Sequence, residues 1–189
     1  MTLKFTTAEE SSAQNGVKCL VYGLAGMGKT VLTATCPTPI LLSAESGLLS
    51  LRKANLERLF GVGNPWISYH IPVIQISTVD DLREAYEWAA RSTEAQGFAT
   101  IALDSISEIA EVVLNNAKRQ VKDPRQAYGE LLEKMQTLIR LFRDLPNKNV
   151  YFAAKMEPQK DELSGVTRFL PSMPGSKLGN QLPFFFDEV

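Results

Sequence analysis

One octapeptide restricts the fold of this chain more than any other feature. Gly23-Leu24-Ala25-Gly26-Met27-Gly28-Lys29-Thr30 satisfies the pattern G-x-x-x-x-G-K-[ST] in full. The pattern carries a mechanism only between a strand and a helix, and both flanks comply. Val17 to Tyr22 is a short β-favouring run, and a helical stretch from about Lys29 to Thr35 is stopped by Pro37. In such a turn the glycines let successive N–H groups curl around an anion, and the helix start adds its dipole. Lys29 reaches the outer phosphates of a nucleotide, and the Thr30 hydroxyl is placed to hold Mg2+. Gly23, Leu24, Ala25, Gly26, Met27, Gly28, Lys29, Thr30 and Val31 are therefore the candidate phosphate-binding residues.

The remaining chain alternates strands and helices. Strands are expected at Pro39 to Ala44, Val73 to Ile76, Phe98 to Leu103 and Asn149 to Ala154, and a last core strand at Phe184-Phe185-Phe186. Helical spacing covers Leu48 to Phe60, a stretch to about Arg91 opened by Ser77-Thr78-Val79-Asp80-Asp81, Ile106 to Val121, and Tyr128 to Leu145. Lys122-Asp123-Pro124 breaks the last two apart. A long Gly/Pro/Ser-containing loop is expected from about Met156 to Leu182. Such alternation predicts an α/β fold with a doubly wound, mostly parallel sheet. Residues 1–16 are polar and small, ending in an Asn15-Gly16 turn signal, so they read as a flexible tail before a single domain over 17–189.

A phosphate site needs a carboxylate for its metal at the end of a neighbouring strand, and Thr100-Ile101-Ala102-Leu103-Asp104 supplies it. Many mechanical ATPases place Glu directly after this Asp to orient water. Here Ser105 follows, so the base comes from elsewhere or is absent, and Glu45, at the end of the strand PILLSAE, is the best candidate. Charge narrows the partners. With 20 Lys and Arg against 21 Asp and Glu, the net charge is -1, which excludes a uniformly basic nucleic-acid binder. No apolar run nears the ~20 residues that cross a bilayer, and the N-terminus lacks the apolar stretch of a signal peptide, so a cytoplasmic protein without membrane contact is expected. Two separated cysteines give no disulfide framework, and with the one histidine, His70, they cannot build a zinc site without several carboxylates.

GLAGMGKT, Ala44-Glu45 after the next strand, IALDSISEI around Asp104, and VYFAAK followed by a loop ending in PGSKLGNQLPFFF together resemble the RecA superfamily over residues 17–189. The compact size and the ending are similar to small phage-encoded RecA-like ATPases of single-strand annealing and recombination. The resemblance implies a RecA-like phosphate-loop core that binds ATP and Mg2+ and hydrolyses ATP. It also implies a homo-oligomer, ring or filament, on single-stranded DNA, pairing complementary strands and working beside a single-strand DNA-binding protein in the host bacterial cytoplasm. Lys29 and Thr30 would bind phosphate and metal, Asp104 the metal's water shell, and Glu45 would polarise water. Lys155 takes the place of a γ-phosphate sensor, where RecA itself has an amide. Arg168 and Lys177 are candidates for a cation given to a neighbouring subunit's nucleotide. Two DNA-facing loops are implied, one with Lys118, Arg119, Lys122 and Arg125, the other with Lys160 and Arg168 but diluted by Glu157, Asp161 and Glu162. Phe5 and Ala8 resemble the F-x-x-A element with which strand-exchange recombinases dock onto a neighbour. A nucleotide-gated protein-assembly or DNA-packaging ATPase, and a small-molecule kinase, are the competing functions.

Overall fold

The computed structural model describes residues 5–13, 16–45, 47–161 and 164–189. In chain order the helices are α1 (Ala8–Ala13), α2 (Lys29–Leu32), α3 (Lys53–Phe60), α4 (Val79–Arg91), α5 (Ile106–Gln120), α6 (Pro124–Arg143) and α7 (Ser176–Gln181). The strands are β1 (Lys18–Gly23), β2 (Pro39–Ser43), β3 (Val73–Gln75), β4 (Thr100–Asp104), β5 (Asn149–Lys160) and β6 (Thr167–Pro171). Five of them form a parallel sheet in the order β1-β5-β4-β2-β3, and β6 runs antiparallel along the outer half of β5. This is the doubly wound α/β architecture that the alternation predicts.

Alternation along the strands builds a core on each face. Ile40, Leu42, Ile101, Leu103, Val150, Phe152 and Ala154 pack under α4, α5 and α6. Their neighbours Leu41, Ala102, Tyr151 and Ala153 turn to the opposite face, with Cys36, Leu48 and Leu51. Because strands buried on both sides are apolar throughout, β2 and β4 read as continuous hydrophobic runs. Cys19 and Cys36 are free thiols, and burial pushes Cys36 up to about 11. At the sheet end remote from the phosphate turn, the Lys18 ammonium donates to the carbonyls of Leu145 and Lys148. The Lys148 ammonium donates to those of Ala95 and Phe98. Desolvation lowers the pKa of both lysines.

Several local expectations are corrected. The tail contains α1, because Thr7 Oγ1 accepts from the Glu10 N–H while the Glu10 carboxylate accepts from the Thr7 N–H, a reciprocal cap. Asn15 lies outside the described residues. The helix expected over Leu48 to Phe60 is a 3-10 turn, Leu48–Leu51, and then α3, divided at the extended Arg52. α6 starts at Pro124 rather than Tyr128, since Asp123 caps it and proline is well suited to a first helical position.

The long loop after Met156 is instead a β-hairpin followed by α7. Its strands are largely exposed, so no apolar pattern announces them. Phe184-Phe185-Phe186 is not a strand: Pro183 opens a 3-10 turn, Leu182–Phe185. Phe184 is exposed, Phe185 lies 5.2 Å under Arg140, and Phe186 meets Phe152 edge-on at 4.9 Å. The next two residues, Asp187 and Glu188, bond to the β1 backbone at Lys18 and Leu20. Among the described residues no helix is long and apolar enough to cross a membrane.

Gly179 joins α7 to the base of the hairpin. A Cβ there would stand 2.5 Å from the Pro171 carbonyl oxygen, a backbone atom that cannot rotate away. Gly179→Ala should therefore destabilise the fold by about 1–3 kcal/mol, the usual cost of overpacking. An unchanged denaturation midpoint would show that α7 shifts freely.

Candidate nucleotide site

The site is built where the parallel strands end. In register, Gly23 lies opposite Lys155, and Asp104 lies between Ser43 and Ala153. A cavity of about 910 Å³ opens there, lined by residues 23–32 together with Glu45, Asp104 and Lys155. All nine candidate phosphate-binding residues, the candidate metal residues Thr30 and Asp104, and the candidates Glu45 and Lys155 thus face one space.

Gly26 and Gly28 adopt φ of 78° and 89°, left-handed values that side chains resist. They bend the turn so that Lys29 folds back over it, its ammonium donating to the carbonyls of Gly23 and Leu24 at 2.9 Å each. Tyr151, buried beneath, donates its hydroxyl to the Lys29 carbonyl at 2.7 Å and fixes the start of α2 from below. Burial, with Asp104, Cys36 and Cys19 nearby, raises the Tyr151 pKa, so the phenol remains a donor.

Asp104 is only 2% exposed. Burial raises its pKa, the adjacent Thr30 hydroxyl opposes that, Glu45 adds to the rise and Lys29 lowers it. Hydroxyl, carboxylate and phosphate oxygens are hard donors of the kind Mg2+ takes while keeping several waters. Among the described residues there is no group of three or more metal-ligating His, Cys, Asp or Glu side chains. The donor set therefore fits an ion shared with a substrate's phosphates rather than one caged by protein alone.

Glu45 is half-buried, and its Oε1 accepts a 2.7 Å hydrogen bond from Ser105 Oγ. The same Ser105 oxygen accepts from the Glu108 N–H and caps α5. Ser105, which follows Asp104, therefore fixes the direction of the Glu45 carboxylate. The Ser43 hydroxyl holds the backbone of Glu45, donating to its carbonyl at 2.9 Å. Lys155 pairs through its ammonium with Glu108, and its N–H donates to Ser107 Oγ at 2.9 Å. That hydrogen bond to Glu108, aided by Glu45 and Glu111, raises its pKa and keeps it cationic.

Ser50, Asn55, Arg58, Leu59 and Phe60 also line the cavity, and sequence reading misses them. Asn55 and Arg58 have ordinary i, i+3 helical spacing, and only tertiary packing places α3 above the phosphate turn.

The remaining candidates lie elsewhere. Lys118 and Arg119 end α5, Lys122 follows it, and Arg125 opens α6; all four are exposed. Arg125 and Lys177 line a second cavity of about 380 Å³ with Tyr128 and Gly175. Lys118 stands over the Tyr128 ring, 5.7 Å from its centroid. Gly175 approaches so closely that a Cβ would lie 3.4 Å from that ring. Lys160 and Arg168 belong to the β5–β6 hairpin, where Gln159 pairs with Arg168; Glu162 lies outside the described residues. Neither Arg168 nor Lys177 lines its own chain's phosphate cavity. Phe5 is 92% exposed, and Ala8 is the first residue of α1 rather than part of an extended strand.

A family model described as an AAA domain matches residues 15–189. Among solved structures, a KaiC-like protein from the hyperthermophilic archaeon Pyrococcus horikoshii OT3 is similar at 15% identity and a TM-score of 0.41. The match covers 86% of this chain and 80% of that one. No curated protein matches the chain.

Proposed function

The chain belongs to the AAA domain family, and from that premise we propose that it is a RecA-like ATPase of DNA recombination. It binds and hydrolyses ATP with Mg2+, oligomerises on single-stranded DNA and promotes annealing of complementary strands, in the manner of small phage-encoded proteins.

The observation that carries the ATPase reading is the meeting of residues 23–31, Glu45, Asp104 and Lys155 around one cavity. Lys29 exchanges its two carbonyl partners for phosphate oxygens, and the loop N–H groups take the remaining oxygens. Thr30, and Asp104 through the metal's water shell, would hold Mg2+, which would supply charge neutralisation at the phosphates. Glu45, aimed by Ser105, orients a water and accepts its proton. Lys155 stands beside Glu45 as the cation that senses the terminal phosphate.

For DNA the support is local rather than global. Lys118, Arg125 and Lys177 converge on the exposed Tyr128 from three segments of the chain, an aromatic platform ringed by cations of the kind that single strands occupy. The hairpin cations Lys160 and Arg168 supply a second DNA contact, and Arg168 or Lys177 reaches a neighbouring subunit's nucleotide. Phe5, free of packing within its own chain, supplies the contact between subunits.

The test is the ATPase rate with and without single-stranded DNA at low salt, and stimulation is expected. The double variant Lys118→Glu and Arg125→Glu should weaken DNA binding and flatten its log–log salt dependence by about 1.4, at roughly 0.7 per lost phosphate contact. Intact nucleotide turnover without any DNA binding would favour a nucleotide-gated protein-assembly or packaging ATPase.

A further inference from the structure

Among the described residues the phosphate-turn cavity is lined by three cations, and they differ in what else they touch. Lys29 is engaged by two carbonyls of its own loop, and Lys155 is paired with Glu108. Arg58, on α3, lines the same cavity, and among the described residues its only hydrogen-bond partner is a neutral amide: Arg58 Nη2 donates to Asn55 Oδ1 at 2.8 Å. Asn55 is itself clamped, its Nδ2 donating to the Ser50 carbonyl at 2.7 Å, so its oxygen presents to Arg58 in a set direction. The fully buried Leu56 anchors the helix that carries both residues. The result is a guanidinium held at the cavity with no carboxylate partner among the described residues.

We infer that Arg58 contacts the terminal phosphate of a bound nucleoside triphosphate from within its own subunit, and that Asn55 is the positioning residue that presents it. A guanidinium offers paired N–H donors matched to phosphate oxygens, and an anion repays its charge far better than an amide does. Charge is greatest on the terminal phosphate, so Arg58 separates triphosphate from diphosphate. This inference rests on the reading of the cavity as a nucleotide site, and it differs from a cation donated by a neighbouring subunit.

The experiment measures Kd for ADP and for a non-hydrolysable ATP analogue, with Mg2+, in the wild type, Arg58→Ala and Arg58→Lys. The wild type should prefer the triphosphate. Arg58→Ala should lose about tenfold in affinity for the triphosphate and less than about threefold for ADP, with partial recovery in Arg58→Lys. Asn55→Leu should shift the triphosphate affinity in the same direction by a smaller factor, leaving ADP alone. Wild-type binding with both affinities unchanged in Arg58→Ala would overturn the role of Arg58 alone. Equal losses for both nucleotides would also overturn it, since the contact would then be to base, ribose or inner phosphates. A wild type that bound neither nucleotide would bring down the site reading itself.

Discussion

Lys29→Ala leaves a folded protein that no longer holds ATP. The loss should be at least about 100-fold in affinity, roughly 3 kcal/mol, because a charge-assisted contact to two phosphates disappears while the phosphates' charge remains. The fold should survive for a specific reason. Among the described residues the Lys29 side chain bonds only to the carbonyls of its own loop, whereas the brace beneath α2 runs from Tyr151 to the Lys29 main-chain oxygen, which alanine retains. Titration calorimetry with ATP and Mg2+, beside a thermal melt, separates the two effects. Lost binding with a melting point within a few degrees of wild type is expected. Retained binding would mean that the octapeptide is only a glycine turn.

Glu45→Gln should do the opposite, keeping ATP and failing to turn it over. Glutamine retains a carbonyl oxygen to accept from Ser105 Oγ, so the side chain stays aimed as before, but it can no longer take a proton. General-base removal typically lowers turnover by about 10²–10⁴-fold, whereas the affinity for ATP should change by less than about threefold. Single-turnover kinetics isolate the chemical step from product release. Turnover at the wild-type rate would move the base elsewhere.

The phosphate turn was the most legible part of the site, because its chemistry is written in consecutive residues. Asp104 and Glu45 were legible too, as acids at the ends of apolar strands, since a parallel sheet collects such ends along one edge. Arg58 was not, because nothing in Lys53–Phe60 distinguishes a helix over a cavity from a helix over solvent. The β5–β6 hairpin escaped for a related reason. Past Lys155 the strand leaves the core, both its faces become largely solvated, and the apolar run that identifies a strand stops while the strand continues. The triple phenylalanine misled in the other direction: three adjacent rings suggested a core strand, yet Pro183 turns the chain so that only Phe186 reaches Phe152.

The length of β5 has a mechanical side. Its first half is clamped between β1 and β4, Lys155 stands at the phosphate-turn cavity, and the same uninterrupted strand runs on to Lys160 in the hairpin. At about 3.3 Å per residue, the five steps from Lys155 to Lys160 span roughly 17 Å. No joint lies between them. With its first half held in the core, the strand joins the cavity to the hairpin as one continuous element. Where a ligand at the hairpin and a nucleotide in the cavity each favour one tilt of that strand, each must alter the other's affinity by the same factor.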